Sequence, residues 1–165
     1  MSVGEGASIT IQEAVTAPEI DIIRTLFLEY AETLDFSLCF QGFDEELAAL
    51  PGKYSAPKGS LLLASNTNGE IAGCVAIRPI NDTDAEMKRL YVRPAFRGLA
   101  LGRRLAEASV SFARSAGYQV LCLDTIAETM AAAESLYQDM GFVKTAPYYE
   151  NPVVGATFYR LDIKR

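Results

Sequence analysis

Hydrophobic positions along the chain follow two rhythms, and the switches between them mark the elements. Residues 8–15 alternate apolar and polar and include Ile9, Thr10 and Ile11, which predicts a strand. Ile20, Ile23, Leu26, Phe27 and Tyr30 then recur at helical spacing. Thr16 and Glu19 bracket a capping box with Pro18 in the first turn, so a helix starts there and ends near Leu34. A short helix is expected over 44–50, closed by Pro51 and Gly52. Residues 60–64 read as a buried strand, 66–69 as a hairpin turn, and 70–80 as the returning strand with Gly73 as a candidate bulge. A strand over 86–92 precedes a helix over 101–116, whose stripe is Leu101, Leu105, Ala108, Phe112 and Ala116 and whose cap is Gly117. Residues 119–124 form a short apolar strand. Thr125 to Glu128 reads as a second capping box, opening a helix that reaches Met140 and stops at Gly141. Strands begin at Phe142 and run over 156–163, and residues 1–6 read as a loose tail.

A hairpin meander feeding a strand–helix–strand unit predicts a single α/β (α+β) domain over 1–165. Its sheet is mixed, mostly antiparallel and of about seven strands, with helices on both faces. Composition adds exclusions. Half of the 165 residues are hydrophobic, enough for a real core. No apolar run is long enough to span a bilayer and no signal peptide opens the chain, so a cytoplasmic protein without a membrane partner is expected. Cys39, Cys74 and Cys122 are isolated, in apolar settings and in no metal spacing, and read as reduced structural thiols. The chain has no histidine, which removes Ser–His–Asp and Cys–His catalysis and His-based zinc chemistry, and no metal is expected. Any catalysis must draw on carboxylates, Tyr, Lys, Arg, backbone or water.

Charge singles out one stretch. Lys88, Arg89, Arg93, Arg97, Arg103 and Arg104 lie within residues 87–106 with no acid among them, while the whole chain carries −6. Such an island points to a local anionic ligand rather than a broad nucleic-acid surface, and no nucleic-acid partner is expected. It coincides with Gly98, Ala100 and Gly102, small residues between a strand and a helix. The first N–H groups of a helix have no intrahelical partner and carry partial positive charge, so this loop is built for phosphate.

Arg97, Gly98, Leu99, Ala100, Leu101 and Gly102 resemble the pyrophosphate loop Q/R-x-x-G-x-G/A of the GNAT superfamily of N-acetyltransferases. The run from Ala133 to Phe142 resembles that family's second signature, A-x-x-L-Y-x-x-x-G-F. Both signatures are present in the expected order. The resemblance implies an acyl-CoA-dependent enzyme that moves an acetyl group from acetyl-CoA to a primary amine of a small molecule or peptide. It implies a sheet splayed at the central strands, with the cofactor's arm in the gap. Backbone N–H groups at Leu90, Tyr91 and Val92 serve the thioester, and residues 97–102 with Arg103 hold the pyrophosphate. Tyr137 matches the family's general acid, and Glu86 stands where a water-mediated base occurs. Asp124 is the other carboxylate close to the gap, counted with the cofactor-lining residues and read also as a helix cap. The family often forms dimers, so a homodimer is allowed.

Two positions depart from the family pattern. Ala100 replaces a glycine, and the right-handed backbone that a helix start needs is open to alanine. Met130 replaces an asparagine that contacts the cofactor's arm. The acceptor site falls outside both signatures, to Asp35, Phe36 and Phe40 in one irregular segment and Tyr148, Tyr149 and Glu150 in another. Aromatics with acids suit a small cationic amine. A non-catalytic acyl-CoA sensor of the same fold is the alternative. A dinucleotide-binding module is disfavoured, because the full G-x-G-x-x-G in an early βαβ unit is missing.

Overall fold

A computed structural model describes residues 8–34, 36–126 and 131–163. The expected tail at 1–6, and Asp35, Ala127, Glu128 and Met130, lie outside the described residues. The chain runs β1 (Ile9–Glu13), α1 (Ala17–Glu32), α2 (Phe43–Ala49), β2 (Ser60–Asn66), β3 (Ile71–Pro79), β4 (Asp84–Val92), α3 (Leu101–Ser115), β5 (Val120–Ile126), α4 (Ala131–Asp139), β6 (Val143–Thr145) and β7 (Ala156–Asp162). One seven-stranded sheet takes the order β1-β2-β3-β4-β5-β7-β6. All neighbours are antiparallel except β4 and β5.

Local chemistry accounts for the element ends. The Thr16 hydroxyl accepts from the Glu19 N–H, and the Glu19 carboxylate accepts from the Thr16 N–H at 2.9 Å, the reciprocal box that starts α1. Gly117 and Gly141, at φ of 90° and 100°, close α3 and α4. The second capping box, expected over 125–128, reaches residues outside the described ones; at its start β5 continues through Thr125 and Ile126, paired with Thr157 and Ala156.

The sheet alternates its faces. Leu61, Leu63, Cys74, Ala76 and Tyr91 pack with α1 and α2. Leu62, Val75, Ile77, Ala85 and Met87 face the other way and pack with α3 and with Tyr137 of α4. Helices therefore cover both faces.

Two irregularities shape the middle of the sheet. Cys74 faces Tyr91 while Ala76 faces Lys88, so Arg89 and Leu90 together oppose Val75 alone. This bulge holds Arg89 at φ 61°. The irregularity expected at Gly73 falls beside it, at Ala72, where Ala64 faces Gly73 and Ser65 faces Ile71. Gly73 itself is required by close approach: a Cβ there would lie 2.3 Å from the Tyr91 carbonyl oxygen. Beyond the bulge β4 has no partner in β5. Their parallel pairing covers only Asp84, Ala85 and Glu86 with Val120, Leu121 and Cys122. The sheet is thus parted where the resemblance implied.

Candidate active site

Where β4 and β5 part, a cleft of about 360 Å³ opens. Its floor is β4 from Met87 to Val92 and β5 from Leu123 to Ile126. Tyr30, Leu34, Phe36 and Leu38 form one wall, from the end of α1 and the segment after it. Thr33, Gln41, Arg97, Asn151 and, from α4, Ala133 and Tyr137 complete the lining.

At one end lies the loop before α3. Residues 97–100 are all exposed. Gly98 sits at φ 83°, and Ala100, the residue before α3, at φ 57°, ψ 22°. The right-handed conformation expected for Ala100 is therefore not adopted. Left-handed backbone at both positions turns the chain tightly enough for the helix to start at Leu101, and alanine there carries roughly 1–2 kcal/mol of steric cost. The first intrahelical bond of α3 is from the Arg104 N–H to the Ala100 carbonyl at 3.1 Å, which leaves the N–H groups of the preceding turn as anion donors. A Cβ built on Gly102 meets nothing within 4 Å, so the helix mouth is open. The loop fits the phosphates of acetyl-CoA, and the parted strands fit its arm.

The basic island divides in two. Arg97 donates to the Val92 carbonyl at 3.2 Å on the cleft wall. Arg103 forms an exposed helical pair with Glu107 at 3.1 Å, and Arg104 reaches the Ile9 carbonyl at 2.9 Å. These three sit at the loop. The other three are engaged with acids from distant segments. Arg93 donates to both Glu29 oxygens, at 3.0 and 2.7 Å, and holds that carboxyl below the usual carboxylate range. Arg89, buried, donates to both Glu46 oxygens at 3.0 and 3.1 Å and to the Gln41 amide oxygen at 2.7 Å. Lys88, also buried, places its ammonium 3.5 Å from both Glu86 and Asp124. Burial pushes its pKa down, with the two carboxylates acting against that shift.

These pairs join into a chain along the cleft between β4, β5 and the two irregular segments. Glu86 is 2% exposed and accepts from Arg78 at 2.9 Å and from the Tyr148 hydroxyl at 2.6 Å. Asp124 accepts from the Tyr149 hydroxyl and from the Asn151 amide at 2.9 Å. Gln41 donates to Tyr149 at 3.0 Å, which links the two irregular segments. Burial and the adjacent carboxylates push the Tyr148 and Tyr149 phenols far up, so both remain donors. Tyr148 and Tyr149 also pack edge-on against Phe158.

The sequence candidates thus fall into place unevenly. Tyr137, Leu90, Tyr91, Val92, Arg97, Asp124 and Phe36 line the cleft. Tyr137 is 5% exposed, its ring 5.7 Å from Phe142, and burial pushes its phenol up. Glu86 lies beneath the wall, with Asp124 the carboxylate that reaches it. Asp124 is a mid-strand residue paired with Phe158, not a helix cap. Glu150 is exposed and outside the lining, and nothing is described of Asp35 or of the Phe40 side chain. Cys74 and Cys122 are buried as expected, whereas Cys39 is exposed, because its short turn lies at the surface. Lys88, Arg89, Gln41 and Asn151 were not singled out as acceptor-side residues. The signal for the first two was present as charged residues inside a strand that the flanking pattern marked as buried. Gln41 and Asn151 fall inside the two irregular segments, 34–41 and 148–152, that the sequence put forward, but neither stood out within them, because their partners are far away in sequence.

Residues 23–142 match the model of the acetyltransferase (GNAT) family. The chain is 37% identical over 160 residues to an uncharacterized N-acetyltransferase of Schizosaccharomyces pombe, an alignment that covers 96% of this chain and 98% of the relative. Among solved structures it is similar to an acetyltransferase from Streptococcus agalactiae, with a TM-score of 0.76, 23% identity, and coverage of 93% and 98% of the two chains. It is similar also to a Salmonella typhimurium protein described with acetyl-CoA as its cofactor, with a TM-score of 0.70, 21% identity, and 94% of each chain covered. The parted sheet, the loop before α3 and these likenesses agree: the chain belongs to the GNAT family and is an acyl-CoA-dependent N-acyltransferase.

Proposed function

We propose that this enzyme transfers the acetyl group of acetyl-CoA to a primary amine of a small molecule or peptide by direct attack. The observation that carries the reading is one cleft that has a carboxylate, Asp124, on its β5 side, a phenol, Tyr137, on its α4 side, and the unpaired edge of β4 at residues 90–92 between them. Acetyl-CoA supplies an activated carbonyl with a thiolate leaving group. The exposed loop at 97–100 and the start of α3 at 101–102, with Arg97 and Arg103, hold its phosphates. Only alternate N–H groups of a strand face one edge, so the backbone N–H on the gap side of β4 between Leu90 and Val92 serves the carbonyl oxygen as charge develops there.

An alkylamine with a pKa near about 10.4 is mostly protonated at neutral pH and must lose that proton before it attacks. The proton passes to Asp124, directly or through water. Glu86, joined to Asp124 through Lys88, shares the charge from behind the wall. As the nitrogen–carbon bond forms and the carbon–sulfur bond breaks, the electron pair leaves with sulfur. The Tyr137 hydroxyl gives its proton to that sulfur, and the second proton, shed by the nitrogen as it becomes an amide, restores the phenol through water. Its raised pKa suits the role, because the phenol stays protonated through pH 10.0, the ordinary tyrosine value.

The test is release of free coenzyme A thiol over a panel of primary amines, with Tyr137→Phe alongside. The variant should lower kcat by about 10²–10⁴-fold and leave acetyl-CoA affinity unchanged. Affinity and thermal stability falling together would make Tyr137 a packing residue. In the native enzyme kcat should show no alkaline fall below pH 10.0. Tight acetyl-CoA binding with no thiol release for any amine would favour the non-catalytic sensor.

A further inference from the structure

The charge on the cleft wall bears on which amine enters. Among the described lining residues the ionisable acids and bases are Lys88, Arg89, Arg97 and Asp124, three cations against one anion. The anion already contacts Lys88, Tyr149 and Asn151. The nearby acids are turned elsewhere: Glu86 lies under the wall, Glu46 is held by Arg89 and Glu29 by Arg93. Among the described residues of this wall a second ammonium on an acceptor would meet no free carboxylate, because Asp124 is already held by Lys88, Tyr149 and Asn151. The body of the acceptor meets a different surface. Leu34, Phe36 and Leu38 stand together on the wall formed by the segment after α1, with Tyr30 next to them.

Resting on the transfer reading above, we propose that the acceptor is a monoamine with an apolar or aromatic body. Its nitrogen points to the Asp124 end of the cleft and its body packs against Leu34, Phe36 and Leu38. The aromatics of the second segment do not serve as a cation cage. Tyr148 and Tyr149 engage Glu86 and Asp124, and the ring of Tyr149 already has the Lys88 ammonium 5.2 Å from its centroid.

The experiment measures thiol release for phenethylamine, putrescine and spermidine at fixed acetyl-CoA. Phenethylamine should exceed spermidine in kcat/KM by about tenfold or more. Phe36→Ala should raise the KM for phenethylamine by about tenfold, a larger change than in the KM for putrescine. Phe36→Leu, which keeps apolar volume, should fall between the two. Thr33→Glu adds an acid at an exposed position of the same wall and should raise spermidine kcat/KM. A native preference for spermidine or putrescine overturns the inference and leaves amine acetylation standing. So does an unchanged KM in a folded Phe36→Ala protein. Release for no amine despite tight acetyl-CoA binding overturns the transfer reading, and this inference with it.

Discussion

The loop at 97–104 and the ion pairs beneath the cleft draw on one run of basic residues, yet they are physically opposite. At the loop, Arg97, Arg103 and Arg104 are exposed, and their bonds are to carbonyls or to an adjacent helix residue. Exposed pairs of that kind contribute little to stability, and a ligand can exchange them at small cost. Under the cleft, Lys88 and Arg89 are 5% and 4% exposed; Lys88 is matched to Glu86 of its own strand and Asp124 of β5, and Arg89 to Glu46 of α2. A buried charge is tolerable only when paired, so these residues serve the protein before they serve any ligand. Charge of one sign therefore does two jobs: at the loop it waits for an anion, and in the core it fixes where α2 and β5 sit against the bulge of β4.

The most severe way to break the comparison is at the core. Arg89→Met should destabilise the fold by about 3–5 kcal/mol in urea unfolding, because Glu46 is left buried without its cation. The double variant Arg89→Met, Glu46→Met should recover much of that loss. A small single-variant effect would mean that the pair behaves like a surface one. At the loop the effect should fall on binding instead. Gly102→Glu places a carboxylate at the open mouth of α3, with nothing within 4 Å of its Cβ. Acetyl-CoA affinity by calorimetry should drop by about a hundredfold or more, with urea stability nearly unchanged. Unchanged affinity would sink the phosphate assignment. Ala100→Gly relieves left-handed backbone at φ 57° and should stabilise by about 1 kcal/mol. A loss of stability would show that the methyl group packs usefully there. Smallest of all, a maleimide should label the native protein at Cys39 alone, since Cys74 and Cys122 are buried. For Cys122 burial also pushes the thiol up to about 11.

Much of this was legible before any tertiary structure. Thr16 with Glu19, Gly69, Gly117 and Gly141 marked ends that the chain does adopt, because caps and turns are decided by a few adjacent residues. The loop from Arg97 to Gly102 was legible for the same reason, as was Tyr137 on α4. The misjudged positions had distant partners. Asp124 looked like a helix cap until β7 paired with it at Phe158. Ala100 looked right-handed until the helix had to start immediately after a tight turn. The basic island looked unpaired because Glu46 is 43 positions from Arg89 and Glu29 is 64 positions from Arg93.

By itself, then, the sequence determined the elements, the order that makes a mixed sheet, the small-residue turn before α3 and the exclusion of histidine chemistry. Each rests on periodicity, capping or composition, which act over a few residues. Only the tertiary structure decided that β4 bulges at Arg89 and parts from β5 after Glu86, which opens the cleft. It also brought Asp124 rather than Glu86 to the wall, and it joined Gln41 to Tyr149 across 108 positions. The physical reason is burial. Once folding removes water from a strand that carries Glu86, Lys88 and Arg89, each charge must find a partner, and only the folded chain determines which segments lie close enough to supply one.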